Sequence, residues 1–147
     1  MPARKQAPAR KKYFTTAQAN AALPLVRAIV QDITRLANDL HERRDRLSRL
    51  RPGKQAQIGS AHQEELQHVL EEFERDQERM GEYEQELRSL GVELKDPYTG
   101  LVDFPCRMGD RDVYLCWQLG EPEVTHWHEL DAGFAGRQKL TVEAKKS

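Results

Sequence analysis

Residues 91–137 read GVELKDPYTGLVDFPCRMGDRDVYLCWQLGEPEVTHWHELDAGFAGR. Within this stretch the apolar period changes from helical to alternating, and Gly, Pro, both Trp, both Cys and a His-x-His pair gather. Val92 and Leu94 start a short extended piece, 96–100 reads as a turn, and 101–106 as a strand whose Pro105 suits an edge or an end. A second turn at 108–112 leads into a strand over 113–119. A tight connection at 120–123 leads into another over 124–130. A glycine-punctuated loop at 131–136 and a short strand within 137–142 complete a small antiparallel sheet of three to four strands.

With Leu119 and Val124 flanking the connection, Trp117 pairs with His126 and Leu115 with His128. Alternation then sorts Val113, Leu115, Trp117, Leu119, Val124, His126, His128 and Leu130 onto one face, expected to cover the helices. Tyr114, Cys116, Gln118, Thr125, Trp127 and Glu129 fall on the other.

The residues before this stretch carry a helical support. Thr15 with Gln18 matches a capping box, which satisfies the first free amides of a helix starting near residue 16. Pro24 is comfortable only in a first turn, so a short helix is expected to end there and a long one to begin. Leu25, Val26, Ile29, Val30, Ile33, Leu36, Ala37, Leu40, Leu47 and Leu50 recur at helical spacing over roughly 27 residues, ~40 Å. Arg51-Pro52-Gly53 breaks the pattern. Ser60 with Gln63 repeats the capping arrangement, and Leu66, Leu70, Phe73, Met80, Tyr83 and Leu87 continue to Gly91, where a left-handed residue closes the helix. Residues 24–51 carry seven Arg against four acids, and 60–90 carry ten acids against three Arg. The two helices are therefore expected to pair antiparallel.

The fold class is α+β: a long, coiled-coil-like antiparallel helical hairpin over 16–90, then the antiparallel sheet and Gly loop over 91–142. Residues 13–142 form a single domain, the size expected for a 147-residue chain. Residues 1–12, with Arg4, Lys5, Arg10, Lys11, Lys12 and no acid, read as a disordered basic tail, and 143–147 as a frayed one. Outside the basic tail the body holds 18 basic and 24 acidic residues. That balance argues against nucleic acid as a partner. No apolar run is long enough for a membrane span and no secretory signal precedes Cys106 and Cys116, so a cytoplasmic protein with reduced thiols is expected.

His126-x-His128 on a strand can grip a divalent metal such as Zn, Ni or Fe, since same-face neighbours converge. Asp131, or a helix carboxylate such as Glu72 or Asp76, is the third ligand to consider. In this register Cys116 points away from both imidazoles, which argues against a Cys-His nucleophilic pair. Glu65-x-x-His68 is a single copy of a spacing that di-iron bundles use twice, and reads as a surface pair. No catalytic residue is assigned, because nothing assembles nucleophile, base and oxyanion donors. The leading reading is a non-enzymatic interaction module presenting a charged hairpin, joined as a homodimer or to a protein partner. The alternative is a metal-binding or metal-dependent protein using His126, His128 and Asp131.

Phe14-Thr15, Ala19-Asn20, Leu23-Pro24, Gly91 to Asp96, Gly100 to Pro105, Leu115-Cys116-Trp117, Gly120-Glu121, Trp127-His128 and Gly133 to Arg137 together resemble the bacterial domain-of-unknown-function family 2203. The resemblance spans about residues 13–140 and implies no activity. It draws attention to Asp103, Glu121, His128 and Arg137, polar residues without an obvious packing role, and implies that position 126 need not be histidine.

Overall fold

The structure, a computed structural model, describes residues 12–49 and 60–141. The hairpin loop and both chain ends, and with them the expected tails, lie outside the described residues, apart from Lys12. Two helices, α1 (Thr16–Arg49) and α2 (Ser60–Ser89), precede five strands: β1 (Glu93–Asp96), β2 (Leu101–Met108), β3 (Arg111–Gln118), β4 (His126–Glu129) and β5 (Gln138–Lys139). The α+β class with a helical hairpin holds. The sheet has five strands rather than three to four, because the short final pairing also forms. Its order follows the chain, β1-β2-β3-β4-β5, with every neighbouring pair antiparallel.

The capping box starts α1. The Gln18 amide donates to Thr15 Oγ1 and the Thr15 amide to Gln18 Oε1, each at 3.0 Å. Pro24 does not divide the helix as expected: α1 is one 34-residue helix with Pro24 inside. Proline in a helix costs about 3 kcal/mol, but the flanking Leu23, Val26, Ile29 and Val30 are buried and contribute roughly 1.5–3 kcal/mol each. Pro24 itself is on the exposed side. At the far end of α2, Gly91 takes φ +90° and the Val92 amide donates back to Leu87 O, closing the helix as its position predicts.

The core lies between α1, the last turns of α2 and one face of the sheet. Leu23, Val26, Ile29, Val30 and Ile33 meet Val102, Phe104, Cys106, Val113, Leu115 and Trp117, with Leu87 alongside. No helix among the described residues is long and apolar enough to cross a membrane.

The β3–β4 register corrects the expected face assignment. Cys116 pairs with His126, Leu115 with Trp127 and Tyr114 with His128, one residue out from the anticipated pairing. The cause is Asn20 on α1. Its Oδ1 accepts from the Val124 amide at 2.7 Å and its Nδ2 donates to the Val124 carbonyl at 3.4 Å, so Val124 leaves the ladder and buries its side chain beside the helix. Seven residues, 119–125, then bridge the strands, and the one-residue slip turns every β4 side chain over. Val113, Leu115 and Trp117 do face the helices, but His126 and His128 lie on the outer face with Tyr114 and Cys116. Leu130, expected inside, is 50% exposed.

Gly100 ends the β1–β2 turn at φ +76°, where an added Cβ would stand 2.7 Å from Leu119 Cβ. Gly100→Ala is expected to cost about 1–3 kcal/mol through strain and overlap, whereas Gly81→Ala, inside α2 with no atom within 4 Å of the new methyl, gains up to ~1 kcal/mol. Urea unfolding of the two variants checks both signs.

Candidate functional site

The two-residue turn at Gly109-Asp110 joins β2 to β3 and fixes Met108 opposite Arg111. Counting back along the ladder puts Asp103 opposite Cys116. With β4 in its observed register, Asp103, Cys116 and His128 meet on the outer face of three adjacent strands. That face is not solvated at its centre: Asp103 and His128 are each 2% exposed and Cys116 is 0%.

His128 is held at both ring nitrogens. Nδ1 lies 2.7 Å from the Glu129 carbonyl, which only accepts, so Nδ1 carries a proton and donates it. Nε2 lies 3.0 Å from Asp103 Oδ2. A contact at that distance needs one proton between nitrogen and carboxyl, whichever of them carries it. Burial pushes the Asp103 carboxyl above its ordinary value, with His128 opposing. Asp103 Oδ1 is buried without a hydrogen bond of good geometry. The Cys116 thiol beside it is pushed up to about 12, by burial first and by the Asp103 charge second.

A second polar pair adjoins the first. Arg137 Nη2 donates to Glu121 Oε1 at 2.8 Å and to the Cys116 carbonyl at 3.4 Å, and the guanidinium lies 4.7 Å from the Phe134 ring centre. Glu121 also accepts from the Gln118 amide and, through its own carbonyl, from Trp117 Nε1. Burial alone would raise the Glu121 carboxyl, but the hydrogen bonds from Arg137 and Gln118 and the Arg137 charge hold it below its ordinary value. The loop that delivers Arg137 therefore closes onto the sheet.

Of the residues anticipated for metal binding, only His128 joins this cluster. His126 shares its face but bonds to Thr125 Oγ1 at 3.0 Å, and burial followed by the Arg137 charge lowers its pKa. Asp131 is exposed, at the rim of a cavity of about 280 Å³ lined also by Lys95, Asp103, Tyr114 and His128. The helix carboxylates stay on the other side of the sheet: Asp76 pairs with Arg43, and Glu72 lies 3.6 Å from an exposed His68. Among the described residues, Asp103, Cys116 and His128 are the one group of His, Cys, Asp or Glu whose donor atoms all lie within 4.8 Å of one another. Cys116, set aside because of the expected register, is the residue that reading the sequence missed, although its pairing with Asp103 was countable from the Gly109-Asp110 turn. Cys106, opposite Val113 on the inner face, is not its cross-strand neighbour, and both thiols are free.

The protein is thus an α+β sheet carried on a helical hairpin, with a buried Asp-His pair and thiol and a half-buried Arg-Glu pair on its outer face. The sequence profile of DUF2203, described as an uncharacterized conserved protein, matches residues 12–140, and the chain belongs to that family. No curated protein and no solved structure matches it significantly.

Because the fold holds the Glu121 carboxyl below its ordinary value, the stability its pair contributes is present above that ordinary value and is lost as pH falls through the folded pKa. Glu121→Gln is expected to lower stability by about 1–2 kcal/mol at neutral pH and to flatten this acid limb, as read by thermal unfolding across pH. A separate expectation concerns the thiols. Cys106 and Cys116 are buried and both are shifted upward, so neither reacts with a thiol reagent at neutral pH until denaturant is added. Titration of either thiol in the folded protein would contradict this.

Proposed function

We propose that the protein is a non-enzymatic interaction module whose hairpin arm pairs with a second copy of the chain. The observation that carries the reading is the incomplete cover of that arm. α1 at 34 residues reaches ~51 Å, whereas eight-residue strands span only ~27 Å. The common core takes nothing from α1 beyond Ile33 and nothing from α2 before Met80. The β1–β2 turn extends the cover to His41, through the Tyr98 ring. Beyond it Leu47, Leu66, Val69 and Phe73 are only half-buried and Leu70 is 40% exposed. Two helices shield an apolar seam from one side, and a second pair related by two-fold symmetry would close the other.

Charge favours the same occupant. Arg44, Arg46 and Arg49 stand exposed on the α1 side of the arm, and Glu64, Glu65, Glu71, Glu72 and Glu74 on the α2 side. Arg43 to Asp76 is the cross-helix ion pair among the described residues; the others in the hairpin lie within one helix. Among the described residues the arm thus makes little charge pairing across its two helices, and a two-fold copy supplies the opposite pattern. The high thiol pKa of Cys116 supports a non-enzymatic reading, since a protonated thiol is a poor nucleophile. Two free buried cysteines suit the cytoplasm.

Light scattering at micromolar concentration is expected to give twice the 17.0 kDa chain mass. Leu70→Glu should return it to the monomer without loss of helicity, while a polar change on the sheet such as Gln138→Glu should not. A wild-type monomer at these concentrations would overturn the proposal.

A further inference from the structure

We infer that Asp103, Cys116 and His128 form a binding site for one divalent transition metal ion of the zinc class, with the fourth position open to the cavity beneath the 130–134 loop. The inference is independent of the hairpin pairing.

Four observations carry it. The three donors differ in kind, a carboxylate oxygen, a sulfur and an imidazole nitrogen, yet lie within 4.8 Å of one another on three adjacent strands. Strands hold such donors more rigidly than loops. His128 is oriented as metal-binding histidines are: its Nδ1–H is tied to the Glu129 carbonyl, which leaves Nε2 to face the cluster. Among the described residues Asp103 Oδ1 is buried with no hydrogen bond of good geometry, though the Cys116 thiol stands beside the carboxyl, and an unmade bond at a buried acceptor costs about 1–3 kcal/mol. A bound cation would satisfy it. Finally, the site has a way in. The cavity of about 280 Å³ lined by Asp103 and His128 also includes Tyr114, Lys95 and, at its rim, Asp131, and reaches two of the three donors.

The donor set selects the ion. A thiolate with imidazole and carboxylate suits zinc and its neighbours, whereas the hard ions magnesium and calcium call for oxygen alone. Charge balances too, since one thiolate and one carboxylate neutralise a dication. Binding releases the Cys116 thiol proton and the proton held between Asp103 and His128. The raised Cys116 pKa is no bar, because a coordinating thiol is deprotonated by the metal itself. Arg137, bonded to the Cys116 carbonyl, and Glu121 behind it brace the central strand from outside the ligand set.

The test uses the full chain, purified without a polyhistidine tag and stripped by chelator, titrated first with Co²⁺ and then with Zn²⁺. One Co²⁺ per chain is expected, with the near-ultraviolet charge-transfer absorption of a cobalt thiolate and the visible bands of tetrahedral cobalt, both removed by one equivalent of Zn²⁺. Cys116→Ser should abolish the charge-transfer absorption. Cys106→Ser, on the other face of the sheet, should leave it intact. His128→Gln and Asp103→Asn should each weaken Zn²⁺ binding by more than the roughly 10- to 100-fold that loss of an outer partner costs. A wild-type chain that gives no charge-transfer absorption and retains no Zn²⁺ overturns the site whatever the variants do, and leaves Asp103 and His128 as a structural ion pair. Absorption that survives Cys116→Ser overturns it as well.

Discussion

One side-chain amide decides what the outer face of this sheet presents. Asn20, a turn into α1, takes both the N–H and the C=O of Val124 and so fills the place a neighbouring strand would otherwise occupy. Because strand side chains alternate with period two, moving Val124 out of the ladder is enough to turn His126 and His128 away from the helices and Trp127 toward them. The same clamp seats Val124 in the core at 1% exposure, so the polar capture and the apolar burial reinforce one another. The register of β4 is thus fixed by a residue 104 positions away in sequence.

The energetic consequence falls on Asp103 and His128. Removing a carboxyl and an imidazole that share one proton from water is costly, and the cost is repaid only where geometry is good and the remaining polar atoms are satisfied. Here the repayment is partial. Among the described residues His128 has a partner at each nitrogen, whereas Asp103 has a hydrogen bond of good geometry at only one of its oxygens. The neighbouring Arg137 to Glu121 pair is less buried and better supported, and it draws the 134–137 segment against the sheet edge.

Much of the architecture was legible because it rests on local chemistry. Thr15 with Gln18 and Gly91 after a heptad-like run each specify geometry within a few residues, and each behaves in the structure as its chemistry requires, whereas the turn expected over 108–112 shortens to Gly109-Asp110 as the ladder extends to Met108 and Arg111. Pro24 misled because its cost is local while the compensating burial of Leu23, Val26 and Ile29 is not. The β3–β4 pairing misled for a related reason: 120–123 looks like a tight connection until Asn20 is known to hold Val124. The polar residues Asp103, His128, Glu121 and Arg137 were visible individually. That they form two pairs, with Cys116 between them, depended on the register.

The five-stranded meander has two borders, and both are poor templates for another strand. β5 is two residues long, Gln138 and Lys139, both exposed. β1 has four residues, carries Glu93, Lys95 and Asp96, and is interrupted by a bulge between Leu94 and Asp96. Short, charged and irregular margins discourage the backbone pairing by which sheets join across molecules and grow into aggregates. Edge-to-edge growth is thus disfavoured on both flanks, and the sheet can hold a largely buried polar face without offering a long template to a neighbouring chain.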